Sequence, residues 1–133
     1  MKRYVLDANA LLGYLGNRPG SKRFSELLKE ASHSGQHLLM SVINWGEVIY
    51  NTWTKRGEAT ARQTALGISR LPIEITPVSA EDAFQAASLK AVHKLPYADS
   101  FAAALALRER ATLVTSDPDF EKLGKRLPIL WLR

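Results

Sequence analysis

Four carboxylates lie far apart in this chain, at Asp7, Glu47, Asp99 and Asp117, and each falls where a predicted strand has just ended or a helix has begun. In an open parallel sheet the carboxyl ends of the strands share one edge, so acids placed just beyond them converge in a single crevice. Convergent carboxylates repel: at an effective dielectric near 20, two charges about 4 Å apart cost roughly 4 kcal/mol. The pattern therefore calls for a hard cation with oxygen ligands, magnesium or manganese (Mg²⁺ or Mn²⁺). Asp7, Asp99 and Asp117 are assigned to metal binding, and Glu47 to the metal or to positioning a water. Asn9, two residues after Asp7, and Thr115, just before Ser116 and Asp117, can hold a carboxylate or a metal-bound water. Asp119 is a fifth acid, expected to support the site or open a helix rather than to bind metal directly. His33, His37 and His93 show no metal-ligand or catalytic spacing.

Each acid also has a plain structural use. Asp7 can cap a helix that starts at Ala8, Asp117 a helix that opens at Pro118, and Asp99 can favour a positive helix end. Glu47 lies off the apolar stripe of its helix and could be a solvated glutamate. Taken together, these uses do not explain why acids recur after the first and fourth strands and in the helices that flank them.

The elements that must position these residues follow from periodicity and punctuation. Arg3–Leu6 reads as a short buried strand and Ala8–Leu15 as a helix, broken by Gly16-Asn17-Arg18-Pro19-Gly20. Ser21 offers an N-cap for a helix through about Ser34, closed by Gly35 before a strand at His37–Met40. Ser41 caps a helix to about Arg56 with Val42, Trp45, Ile49 and Trp53 on one stripe, and Gly57 separates it from a helix over Ala59–Ser69. Ile73–Thr76 is a strand, and Ser79-Ala80-Glu81-Asp82 opens a helix that ends near His93. After Pro96 come a helix over Ala98–Arg110, a strand at Thr112–Thr115, a short helix at Pro118–Lys125 and a last strand at Ile129–Leu132. Strands alternating with helices imply a parallel sheet inside a three-layer α/β sandwich.

At 133 residues, 46% of them hydrophobic, the chain fits one domain spanning residues 1–133. Its 18 Lys and Arg face 13 Asp and Glu, a net charge of +5. With four acids bound to metal, nine would remain against those 18 cations, and the natural partner is a polyanion. Lys55, Arg56, Lys122, Lys125 and Arg126 are candidates to hold it, although a charge run is usually a solvated face. Without cysteine, disulfides, thiolate nucleophiles and zinc–thiolate sites are excluded. The apolar run at the start stops at Asp7 and no stretch approaches about 20 apolar residues, so a soluble cytoplasmic protein without membrane contact is expected.

Leu6-Asp7-Ala8-Asn9, Asn44-Trp45-Gly46-Glu47-Val48, Tyr97-Ala98-Asp99-Ser100-Phe101-Ala102-Ala103-Ala104 and Thr115-Ser116-Asp117-Pro118-Asp119-Phe120 resemble, in order and spacing, the four acidic motifs of PIN-domain ribonucleases. The resemblance covers nearly the whole chain, which in length looks like the VapC-type toxins of toxin–antitoxin pairs. Ala8, where the family often has Ser or Thr, and Pro118 between the last two acids depart from the pattern without removing an acid. The resemblance implies a PIN-like α/β/α sandwich with a five-stranded parallel sheet and a Mg²⁺- or Mn²⁺-dependent endoribonuclease. It also implies a homodimer and a cognate antitoxin protein whose tail enters the acidic groove. Hydrolysis of an RNA phosphodiester needs an activated water, an in-line approach and charge stabilisation, which one or two metal ions supply without a protein base. The run Ala102-Ala103-Ala104 with Leu105 and Leu107 would allow a close approach of helices between subunits.

Other readings are a PIN-domain nuclease outside a toxin–antitoxin pair and a catalytically silent RNA-binding domain, which would be expected to have lost acids. An Asp-x-Asp phosphatase would need an acid where Asn9 stands. A phosphoacceptor receiver would need an aspartate after its third strand, and the chain has none between Asp7 and Asp82.

Overall fold

A computed structural model describes residues 2–133. Five strands, β1 (Tyr4–Leu6), β2 (Leu38–Ser41), β3 (Ile73–Thr76), β4 (Thr112–Thr115) and β5 (Ile129–Trp131), form one sheet in the order β3-β2-β1-β4-β5, every neighbouring pair parallel. Between them run α1 (Ala8–Leu15), α2 (Ser21–Ser34), α3 (Val42–Arg56), α4 (Glu58–Ser69), α5 (Ala80–His93) and α6 (Tyr97–Arg108), and a 3₁₀ segment Pro118–Arg126 precedes β5. This is the α/β architecture expected, with the sheet covered on both faces.

Side chains alternate across a strand, so one register divides the core into two halves. Val5, Leu39 and Leu113 face α5 and α6 and pack with Ala86, Leu89, Phe101 and Ala102. Leu6, Leu38, Met40 and Val114 face the other way, onto Leu11 of α1, Phe24 and Leu27 of α2, Val48 of α3 and Ile68 of α4. Near-continuous apolar strands such as Leu38-Leu39-Met40 fit a sheet buried on both faces.

Several boundaries differ from the periodic reading, each for a local reason. Ser21 does not cap α2: it is the first helical residue, and the capping position belongs to Gly20, whose φ of 94° follows a tight turn against the end of β5. The Ser21 hydroxyl instead donates to Asn17 Oδ1 at 3.1 Å. Strand β2 begins at Leu38, not His37, because its ladder with β3 opens at Leu38 opposite Ile73. Arg110, at φ 52°, ends α6 early, and Gly124, at φ 58°, breaks the segment expected to be a short helix into 3₁₀ turns. Trp53, placed on the apolar stripe of α3, is 46% exposed, and Trp45 and Ile49 are the aromatic and aliphatic members that reach the core.

The alanine run of α6 is spent inside the chain. Ala102, Ala103 and Ala104 are buried, and the small side chains let α6 lie close to the sheet and to α5. They are therefore not a surface for a second subunit.

Candidate functional site

The parallel register of β1 and β4 builds the first part of the site. Leu6 pairs with Val114, so the next residues, Asp7 just beyond β1 and Thr115 at the end of β4, lie side by side. Asp7 is 1% exposed. One carboxylate oxygen accepts from the Ala10 amide at 2.8 Å, capping α1, and the other accepts from the Thr115 hydroxyl at 2.5 Å. The Thr115 oxygen in turn accepts from the Asp117 amide at 2.9 Å, and Asp117 Oδ1 accepts from the Asp119 amide at 2.9 Å. Capping and clustering are thus served by the same carboxylates.

The second part comes from helices. Strand β2 passes straight into α3 through Ser41, whose hydroxyl oxygen accepts from Ile43 N–H at 3.2 Å, and Glu47 follows after little more than one turn. Helix α6 returns toward the start of β4, so its N-terminus, with Asp99 in the first turn, lies at the carboxyl edge of the sheet. Asn44, completely buried, joins the two helices: its amide donates to Glu47 Oε1 at 3.2 Å and to the Ala98 carbonyl at 3.0 Å, beside Asp99. Its Oδ1 is buried without a partner among the described residues.

Asp99, Asp117 and Asp119 come together with one carboxylate oxygen from each within 4.8 Å of the others. Asp119, expected to stand behind the metal ligands, is in the central group because the turn after Asp117 folds it back. Asp7 and Glu47 lie outside that triplet but within its field. Burial pushes the Asp7 carboxyl up to about 7 against the Thr115 and Ala10 hydrogen bonds, and the charges of Asp99 and Asp117 push the same way. Asp99 is also pushed up to about 7, first by burial and then by Asp117, Glu47 and Asp119. Glu47 is raised by burial and by Asp117, opposed by the Asn44 amide. A set of carboxylate oxygens without sulfur, in which burial and neighbouring acids push Asp7 and Asp99 up to about 7, suits a hard divalent cation.

The supporting residues divide. Thr115 holds Asp7 as expected, whereas Asn9 Oδ1 accepts from the Ser116 hydroxyl and bonds no carboxylate. Lys122 lies 3.6 Å from Asp119 and donates to the Lys94 carbonyl at 3.4 Å, while the Arg126 guanidinium meets His93 Nε2 at 3.0 Å. Lys125 is exposed, and Lys55 and Arg56 line a cleft between α1, α3 and α4. Asn44 was missed by sequence reasoning. Its one signal was a place three residues before Glu47, one turn away on the same helix.

Residues 4–126 match the family model of the PIN domain. No curated protein matches the sequence. The fold is similar to that of VapBC2 from Rickettsia felis, solved bound to a DNA fragment from its promoter, at 22% identity and a TM-score of 0.76 over 98% of each chain. It is also similar to VapBC-1 from nontypeable Haemophilus influenzae, at 20% identity and a TM-score of 0.74 over 97% of each chain. VapC20 of Mycobacterium tuberculosis, described as a Sarcin-Ricin loop cleaving toxin, aligns at 16% identity and a TM-score of 0.66, over 91% of this chain and 95% of that one. With its four acids gathered at the carboxyl edge of a five-stranded parallel sheet and the family model spanning nearly its whole length, the chain belongs to the PIN domain family.

Proposed function

We propose that this protein is a Mg²⁺- or Mn²⁺-dependent endoribonuclease and the toxin of a toxin–antitoxin pair, acting in the cytoplasm as a homodimer and inhibited by a cognate antitoxin. The observation that carries the nuclease reading is the meeting of Asp99, Asp117 and Asp119 within 4.8 Å, with Asp7 and Glu47 in the same electrostatic field. PIN domains are nucleases, and the similar folds named above include VapBC complexes and an RNA-cleaving toxin. Among the described residues no helix is long and apolar enough to cross a membrane.

In this reading Asp7, Asp99 and Asp117 would hold the cation, Asp119 would complete or support the set, and Thr115 braces Asp7 from the buried side. Glu47, steadied by Asn44, takes the metal or orients the attacking water. A bound cation supplies charge stabilisation and a water of lowered pKa, so the chain needs no histidine base. The carboxylates must be ionised to do this, so affinity for the cation falls as pH drops below about 7, where Asp7 and Asp99 take up protons.

The test is cleavage of a single-stranded RNA with Mn²⁺ by wild type and by Asp99→Asn. Wild type cuts internally, EDTA stops it, and the variant loses more than about a hundredfold of the rate. Equal cleavage by the two would remove Asp99 from the chemistry and the nuclease reading with it.

A further inference from the structure

A cleft of about 230 Å³ opens between α1, α3 and α4, lined by three cations, Arg18, Lys55 and Arg56, and by no acid. Among the described residues none of the three takes part in an ion pair, whereas Arg3, Arg23, Arg62, Arg108 and Lys122 all do. Leu12 and the half-exposed Leu15 add an apolar wall, and Asn51 a polar one. The Arg18 side chain lies beside Gly16 at the end of α1.

Two helices lead from the acids to this cleft. Asp7 caps α1, and the cleft begins at Leu12 on the same helix. On α3, Glu47, Asn51 and Lys55 follow at i, i+4 and i+8, and the last two line the cleft. At 1.5 Å per residue Lys55 lies about 12 Å along α3 from Glu47. That exceeds the Debye length of about 8 Å at physiological ionic strength, so Glu47 does not neutralise Lys55. Lys122, by contrast, lies 3.6 Å from Asp119.

An acidic crevice repels the polyanion it must cut, and a bound cation serves the reacting phosphate rather than its neighbours. We propose that the Arg18–Lys55–Arg56 cleft is a backbone-phosphate subsite, holding the RNA a few nucleotides to one side of the bond that is cut and so setting the strand's direction across the acids. The inference rests on the nuclease reading and adds the substrate's position to it. Phosphate contacts fix register without reading bases, so the cleft contributes affinity and polarity, not sequence preference.

Two arms test it, using the full chain and the triple variant Arg18→Gln/Lys55→Gln/Arg56→Gln, whose changes are at exposed positions. In the first arm a labelled single-stranded oligoribonucleotide binds to Asp99→Asn with and without the triple change across a salt series. Each single-strand contact contributes about 0.7 to the slope of log K against log salt, so the triple change flattens it by about two units. In the second, wild type cleaves oligonucleotides each carrying one neutral methylphosphonate. KM rises about tenfold at one or two phosphates on one side of the cut, and the triple variant has lost that positional penalty. An unchanged salt slope, or a penalty undiminished in the triple variant, overturns the proposal, and does so even if an acidic peptide proves to bind the cleft. If wild type cuts no RNA, the nuclease reading fails and the binding arm alone still decides the subsite.

Discussion

Asp7 is held at both oxygens and almost fully buried, and burial makes its charge costly. Thr115→Val keeps the volume but leaves a buried carboxylate oxygen and the Asp117 amide without their partner. Thermal and denaturant melts should show a loss of about 1–3 kcal/mol, larger at pH 8 than at pH 5.5, where Asp7 is protonated. Asp7 and Asp99 titrate near 7 in the folded chain against an ordinary 3.8. Between those values the folded chain binds more protons than the unfolded one, so metal-free stability falls as pH rises from about 4 through 7. Melts in EDTA should therefore show a lower Tm at pH 8.5 than at pH 5.5, and saturating Mn²⁺ should raise Tm more at pH 8.5. A Tm in EDTA that climbed with pH would mean the acids are not crowded. The positions of Asp7, Glu47, Asp99 and Asp117 were legible because strand ends in a parallel sheet share an edge. The grouping of Asp119 was not, since it depends on the 3₁₀ turn after Asp117, and Asn44 was hidden because its second bond reaches Ala98, 54 residues away.

Among the elements, the strands and most helices were legible because apolar runs such as Leu38-Leu39-Met40 and caps such as Ser79 act locally. The Ser79 hydroxyl oxygen accepts from the Asp82 amide at 3.1 Å, and the Asp82 carboxylate accepts from Ser79 N–H at 3.0 Å, a reciprocal pair readable from spacing alone. The start of α2 was not legible, because what selects Gly20 is a strand more than a hundred residues on. A Cβ at Gly20 would meet Leu132 Cβ at 2.8 Å and its backbone carbon at 3.0 Å, on a backbone already at φ 94°. Gly20→Ala should destabilise by about 2 kcal/mol or more, from overpacking and left-handed strain together. In α3, by contrast, Gly46 has nothing within 4 Å of a built Cβ, and Gly46→Ala should stabilise by roughly 0.5–1 kcal/mol. If chemical denaturation gave the two variants the same sign, the close contact at β5 would be wrong.

For the whole molecule, size and alternation of elements were enough for a three-layer α/β fold, while the use of α6 was not readable, since an alanine run suits a subunit interface and an interior equally. Packing against α5 and the sheet decided it. Net charge pointed to a polyanion, but which cations are available depended on tertiary neighbours: Lys122 and Arg126 are engaged, Lys55 and Arg56 are not paired with acids. The proposed function rests on one property, that acids brought from four separate motifs would together hold a divalent cation. Titration of Mn²⁺ into the metal-free protein at pH 8, followed by the loss of the free-ion electron paramagnetic resonance signal, measures this directly. Wild type should bind Mn²⁺ saturably, more weakly as pH falls through 7, and Asp99→Asn should not. Binding as tight in Asp99→Asn as in wild type, or no saturable binding by wild type, would contradict the account.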